Sequence, residues 1–368
     1  MSKTPKTTAH VEALPASVPF VGPEAQERAM GRKFKARIGA NENVFGPSPK
    51  AIDAMQRSAV DIWMYGDPEA LELRQALAKH HHIAPENIVV GGGVDILLDW
   101  TSRLYVAPGV NVVTSLGAYP TFNFAVNAMG GTLELVPFVD DCEDPASLIE
   151  KARELSAKLL YISNPDNPMG TCWNAKEMQR MIDDVPDGCM ILLDEAYIDT
   201  APAGTAPELD VTNDQVLRFR TFSKAYGMAG ARVGYCIGEA GVIRNFEKVR
   251  NHFGMNRSAL DGALAALGDQ DYLHEVIGKI ADAREKIYLI AKKYGFQPIV
   301  SATNFVAIDC GRDSAYALAI MKGLAGRGVF IRMPGAEPQS RCIRISAGTE
   351  QNLQIFDEAL GETIAELG

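Results

Sequence analysis

The chain contains no run of eighteen apolar residues, so no membrane-spanning helix is expected. Its opening stretch, MSKTPKTTAHVEALPAS, lacks the apolar core of a secretory signal, and a cytoplasmic protein is the expectation. Basic residues are not in excess: 36 Lys and Arg against 46 Asp and Glu give a net charge of -10. Nonspecific nucleic-acid binding needs a basic face, so nucleic acid is not expected as a partner; a local positive pocket for an anion is not excluded. Cysteine is scarce: six residues, none in a Cys-x-x-Cys pair, read as reduced intracellular thiols. There is no internal repeat, no low-complexity tract, no Gly/Ser linker and no Gly-x-Ser-x-Gly of a serine hydrolase. What remains is ordinary globular composition, 47% apolar and 22% charged, over 368 residues. That length buries a large core and exceeds the usual single-domain ceiling, so two domains are expected.

The stretch from Cys189 to Tyr235 organises the rest. CMILLDEAYID is an apolar run closing on Asp194-Glu195-Ala196-Tyr197, and VLRFRTFSKAYGMAGARVGY is a more alternating run closing on Thr221-Phe222-Ser223-Lys224, with Arg232 after it. Such short runs bounded by turn signals read as strands, the first of them fully buried. Ligands of open α/β sheets collect at the carboxyl ends of strands, so an acid, a phenol, a lysine and an arginine are placed to face one crevice.

Further strand-end signals lie upstream. Ile88-Val89-Val90 runs into Gly91-Gly92-Gly93-Val94-Asp95 and then Ile96-Leu97-Leu98, which reads as strand, tight turn and helix. The free N–H groups of Gly93, Val94 and Asp95 at that helix start form an anion cradle. A Rossmann dinucleotide loop begun at Gly91 would need glycine at 96, where Ile96 stands. Val112-Val113-Thr114 leads to Tyr119-Pro120-Thr121-Phe122, and Leu159–Ser163 leads to Asn164-Pro165-Asp166-Asn167-Pro168, whose Asn-Pro steps favour extended backbone. His80-His81-His82 cannot converge on one metal ion, since consecutive helical residues point about 100° apart. They read as a helix end where imidazolium suits the dipole. No metal site is expected. Residues 1–17 read as a mobile arm, and Val18-Pro19-Phe20 opens the first segment with packing potential. After Gly238 the pattern turns helical, then alternates short strands and helices.

Ser223 to Gly234, with the Asn-Pro segment and Arg344-Ile345-Ser346-Ala347-Gly348-Thr349, resembles fold-type I pyridoxal-phosphate (PLP) aminotransferases, and is most similar to the histidinol-phosphate aminotransferase branch. The resemblance spans nearly the whole chain after about residue 35. It implies an α/β fold: a mostly parallel seven-stranded sheet flanked by helices in a large domain, plus a smaller α+β domain. Residues 1–40 would be an N-terminal arm, 41–270 the large PLP-binding domain and 271–368 the small domain, the two sharing the long helix near 260–290.

It also implies roles. Lys224 would attach covalently to PLP and act as the base once its amine is free. Asp194 would pair with the pyridinium nitrogen, and Asn167 and Tyr197 would bond the phenolic oxygen. Thr221, Ser223 and Arg232 would hold the phosphate with the glycine-turn amides of Gly93, Val94 and Asp95. Phe122, otherwise a plain core aromatic, would stack on the ring. Tyr65, otherwise a packing residue of a turn, would reach the cofactor phosphate of a partner subunit, making a homodimer with shared active sites. Asn41, in an Asn-Glu-Asn turn, would sit near the substrate entrance. Arg344 would grip the substrate carboxylate or its counterpart, and Arg332 a distal phosphate. Two departures stand out: Phe20 follows Pro19 where the branch commonly has Tyr beside the substrate phosphate, and Met169 replaces the usual Thr. The implied reaction is two-step transamination of an amino donor such as histidinol phosphate with a 2-oxo acid such as 2-oxoglutarate. Because Phe20 has no hydroxyl, an aromatic amino acid is a rival substrate. A PLP decarboxylase similar to the threonine-phosphate branch is a rival enzyme.

Overall fold

The computed structural model describes residues 4–16 and 20–368; Val18 and Pro19 of the first packing segment lie outside the described residues. A two-residue strand β1 (Ala36–Arg37) precedes β2 (Ile88–Gly91), β3 (Asn111–Ser115), β4 (Thr132–Val136), β5 (Leu159–Ser163), β6 (Met190–Asp194), β7 (Val216–Thr221) and β8 (Gly234–Ile237). These last seven form one sheet in the order β2-β8-β7-β6-β5-β3-β4. Only β8 runs against its neighbours. The expected mostly parallel sheet of seven strands is therefore present, and six carboxyl ends open on one edge.

The sheet's sequence reads as continuous apolar runs because both faces are covered. Alternate residues of one strand serve opposite cores: Leu159 and Tyr161 of β5 pack with Leu97, Phe122 and Phe219, whereas Leu160 and Ile162 pack with Leu148, Met178 and Met181. A third core gathers Val90 and Tyr235 of the antiparallel edge with the helices Pro49–Ser58, Leu71–His81 and Arg257–Leu267. The helix Leu71–His81 ends at left-handed His82. His81 is not the imidazolium that the helix end suggested. Burial, with Arg220 nearby, pushes it down to about 3, and its Nε2 lies 2.9 Å from the Tyr235 hydroxyl.

The smaller domain holds the antiparallel strands β9 (Gln297–Pro298) and β10 (Phe305–Asp309), the short β11 (Val329–Phe330) and β12 (Cys342–Ser346). β10 pairs with β9 and β12, and β11 pairs in parallel with β1. Its core includes Ala36 and Ile38, so the end of the N-terminal segment is built into this domain. The helix Gln270–Lys293 gives Leu273 to the large-domain core and Val276, Ile280, Ala283, Ile287 and Ala291 to the small one. The N-terminal segment also carries a short helix, Ala9–Glu12, and the His10 ring lies 3.1 Å from the Ala128 carbonyl oxygen of the large domain. Among the described residues no helix is long and apolar enough to cross a membrane.

Candidate active site

A cavity of about 900 Å³ opens where the carboxyl ends of β3, β5, β6 and β7 meet the small domain. Asp194, Tyr197, Thr221, Ser223, Lys224 and Arg232 line one wall, and Phe20, Asn41, Arg332 and Arg344 line another. The chain places them there for local reasons. Asp194 is the last residue of β6 and sits in register between Ser163 of β5 and Phe219 of β7. Lys224 lies three residues past the end of β7, in the turn that follows it. Arg232 lies in the left-handed region, φ 56°, which swings its side chain back toward Ser223. Gly234 has no room for a Cβ, which would stand 3.0 Å from the backbone of Gly93 and Val94.

Two adjacent acids behave oppositely. Glu195 is buried, which alone would raise its pKa, but Arg220 and Arg218 overcome that and hold it down at about 2. Arg218 grips it with Nη2 at 2.5 Å and Nε at 3.1 Å, and Arg220 donates Nε at 2.8 Å. Asp194 is equally enclosed and, among the described residues, forms no salt bridge. Burial pushes it up to about 6, against hydrogen bonds from the Tyr161 hydroxyl at 2.7 Å and the Ala196 amide at 2.9 Å. Glu195 is therefore a structural pivot, and Asp194 is an acid waiting for a cation.

Removing the pivot should be costly, because two buried guanidinium groups lose their counter-ion. Glu195→Gln is expected to lower the unfolding free energy by about 3–5 kcal/mol, read from denaturant midpoints. Since the folded pKa lies below the ordinary 4.5, this contribution is present above pH 4.5. Acidification toward pH 2 removes it, and that acid step should be missing from the variant.

The anion cradle is formed by side chains as well as backbone. The helix Val94–Tyr105 starts at Gly93, whose φ of 92° suits glycine, and a Cβ there would collide with the Arg232 guanidinium. Val94 and Asp95 line the cavity. Arg232 donates Nη1 to the Ser223 hydroxyl at 3.2 Å and lies 3.3 Å from the Asp95 carboxylate, and Thr221 Oγ1 donates to Ser223 Oγ at 2.9 Å. A helix start, two hydroxyls and an arginine at one spot can hold a phosphate.

Asn41 is buried and left-handed, φ 55°. Its amide donates to the Tyr197 hydroxyl at 3.0 Å, while its carbonyl accepts from Lys224 Nζ at 3.3 Å and Asn304 Nδ2 at 3.0 Å. Ser346 of β12 accepts from its N–H at 3.0 Å. The turn thus ties the small domain to the lysine and the phenol. Lys224 Nζ stands 5.3 Å from the centre of the Tyr197 ring. Arg344 donates to the Asn167 side chain, and burial lowers its pKa to about 10. Arg332 lies with its guanidinium 4.2 Å from the centre of the Phe20 ring, and burial lowers it too. Neither arginine forms a salt bridge among the described residues.

One expected site residue lies elsewhere. Phe122 is not at the cavity: it is wholly buried and stacks on Tyr161 at 4.9 Å between ring centres. Thr121 begins a helix, and this turns the next residue into the core. Tyr119 lines the cavity instead, its hydroxyl donating to Asp95 at 2.9 Å. Tyr65 lies outside its own chain's cavity, 75% exposed and packed on Phe253. Met169 is fully buried with Ala307 and Cys342 of the small domain, so the position packs the domains together. Tyr119, Tyr161, Asn304, Ser346 and the Glu195–Arg218–Arg220 cluster escaped the sequence reading. The alternation of Arg218 and Arg220 on a buried strand was a usable signal, since two inward arginines demand an acid. Among the described residues no three His, Cys, Asp or Glu side chains are grouped to hold a metal ion.

These residues fit a phosphorylated pyridine aldehyde: an amine to attach it, a buried carboxyl lacking a cation, a phosphate cradle, and an aromatic at the wall. The description "Aminotransferase class I and II" matches residues 35–360. A histidinol-phosphate aminotransferase of Moorella thermoacetica is 29% identical over 99% of this chain and 95% of its own length. Another, from Mesorhizobium japonicum, is 33% identical over 89% of this chain and 90% of its own. The crystal structure of histidinol-phosphate aminotransferase from Sinorhizobium meliloti in complex with pyridoxal-5'-phosphate superposes with a TM-score of 0.97, at 48% identity, over the whole of both chains. Aspartate aminotransferase of Thermus thermophilus, at 20% identity and a TM-score of 0.82, shares the fold.

Proposed function

The chain belongs to the class I and II aminotransferases, and from that premise we propose that it moves the amino group of histidinol phosphate, or of a closely related amine, to a 2-oxo acid such as 2-oxoglutarate. It is a PLP-dependent enzyme. When bound, PLP supplies an aldehyde for the substrate amine and an electron sink for the bond that breaks at Cα. This chain's residues supply the rest. Lys224 would be the attachment residue and, once its amine is free, the base for the Cα proton. Asp194 would face the ring nitrogen and favour its protonated form. Tyr197, itself held by Asn41, and Asn167 would serve the phenolic oxygen. Thr221, Ser223, Arg232 and the amides of Gly93, Val94 and Asp95 would hold the phosphate.

The observation that carries the substrate reading is the pair Arg332 and Arg344, two half-buried arginines lining one cavity, neither in a salt bridge among the described residues. The single phosphate of the donor could engage either or both guanidinium groups, and the two carboxylates of 2-oxoglutarate could take one each in the second half-reaction. A panel of amino donors with 2-oxoglutarate, scored by glutamate formed, tests it: highest kcat/KM for a donor bearing a distal phosphate supports the reading. Carbon dioxide without glutamate would make the protein a decarboxylase. A second reading, an aromatic amino acid as donor, is favoured by Phe20 and Phe124 at the cavity, and phenylalanine in the panel addresses it. Arg344→Lys loses the planar fork, so KM for the amino donor is expected to rise roughly 10- to 100-fold with a smaller change in kcat. An unchanged KM would remove Arg344 from the substrate.

We read the protein as cytoplasmic and as a homodimer whose Tyr65 completes the partner's phosphate site. Exposed Tyr65 and Phe253, packed on each other, with exposed Val60, Ile62 and Trp63 close to Tyr65 in the chain, support the dimer, since large exposed apolar side chains mark an interaction surface.

A further inference from the structure

Behind the cavity floor lies a buried acid that the reaction does not use. Glu143 is 1% exposed and forms no salt bridge among the described residues. Its Oε1 accepts from the Ser163 amide at 3.1 Å and the Ser163 hydroxyl at 2.7 Å, and its Oε2 accepts from the Ser115 hydroxyl at 2.7 Å. Ser115 ends β3 and Ser163 ends β5, which are neighbours in the sheet. Their ladder stops early, at Val112↔Leu159 and Val113↔Leu160, although both strands continue to their serines. Consecutive residues of a parallel strand direct their N–H groups to opposite neighbours. The Asn164 N–H goes to Asp194 on the β6 side, so that of Ser163 faces the β3 side, where a side-chain carboxyl oxygen replaces the missing strand carbonyl.

We propose that Glu143 is a positioning residue: its carboxyl is a wedge that holds β3 and β5 apart at their carboxyl ends and so sets the width of the slot that receives the cofactor ring. The loops leaving the two strands carry Tyr119 and Asn167 to the cavity, and Ser163 lies in it beside Asp194. The wedge is itself anchored. It follows a tight turn in which Val139 and Cys142 pair and Asp140 and Asp141 are both left-handed. Arg341 of the small domain holds Asp141 with two hydrogen bonds at 3.1 and 2.6 Å. On the other side the Glu143 carbonyl accepts from Trp173 Nε1 at 2.7 Å, and Trp173 bonds Asn164 twice, at 2.8 and 3.0 Å. The small domain, the wedge and the Asn167 loop therefore form one chain of contacts.

The consequence for the cofactor rests on the PLP reading, while the wedge itself is testable without it. In the cofactor-free protein, Glu143→Ala should speed amide hydrogen exchange at residues 160–167 at least tenfold, whereas Glu143→Gln, which fills the same space and can still accept from Ser163, should stay within about threefold of wild type. In the loaded protein, Glu143→Ala should weaken PLP binding about tenfold or more and alter the circular dichroism of the bound cofactor, and Glu143→Gln should restore both. Unchanged exchange in Glu143→Ala overturns the wedge, as does a Gln variant as impaired as Ala. A wild-type protein that binds no PLP would fail the cofactor reading and leave the exchange result to decide the wedge. Should Glu143→Ala not fold, Glu143→Asp, too short to reach both serines, carries the same expectations, and wild-type exchange in it overturns the proposal.

Discussion

Lys224→Ala is expected to lose turnover by roughly 10³-fold or more and to lose the visible band of cofactor joined to an amine. The size follows from two roles ending at once. Removing a general base alone costs 10²–10⁴-fold, and the covalent attachment goes with it. No other lysine lines the cavity among the described residues, so no neighbour can take over. The protein should still fold and bind cofactor, because the phosphate cradle and Asp194 are untouched. A small primary amine added to Lys224→Ala should return part of the rate, since the deletion leaves space beside Tyr197. Lys224→Arg keeps the charge but cannot attach, and should stay inactive. A retained band, or near-wild-type turnover in the Ala variant, would exclude this lysine.

Lys224 was legible because a strand end and a turn fix its place locally. The same holds for Asp194, where β6 stops, and for Arg232. Other positions depended on facts that a linear reading lacks. In Tyr119-Pro120-Thr121-Phe122 either aromatic is a candidate, and the choice rests on where the helix begins. It begins at Thr121, which sends Phe122 to the core and leaves Tyr119 facing the cavity. His81 looked like a cation at a helix end, yet Tyr235, 154 residues away, packs on it and buries it. Glu143 sits in an acidic run, Asp140-Asp141-Cys142-Glu143-Asp144, that reads as a solvated loop. Only the sheet topology shows that one of those acids fills a gap between strands.

Asp194→Asn is the sharper test of how the cavity is tuned, because stability and function should move apart. Asparagine can still accept from the Ala196 amide, and the Tyr161 hydroxyl can turn to accept from it, so the fold survives. What disappears is the negative charge that faces a cationic ring nitrogen. A buried pair of this kind is worth about 2–5 kcal/mol, so turnover should fall roughly 30- to several-thousandfold. The pH dependence has a definite sign. The folded pKa of about 6 lies above the ordinary 3.8, so between those values the folded protein holds a proton that the unfolded chain has released. Cofactor-free wild type should therefore gain stability from this group as pH falls from 6 toward 4 and lose it as pH rises through 6. Cofactor affinity should run the other way, weakening below about pH 6 as the carboxylate takes up its proton. Asp194→Asn should flatten both curves, and above pH 6 the cofactor-free variant should be the more stable protein. A variant with wild-type turnover, or an affinity curve whose step at pH 6 persists in it, would show that the ring nitrogen does not depend on Asp194.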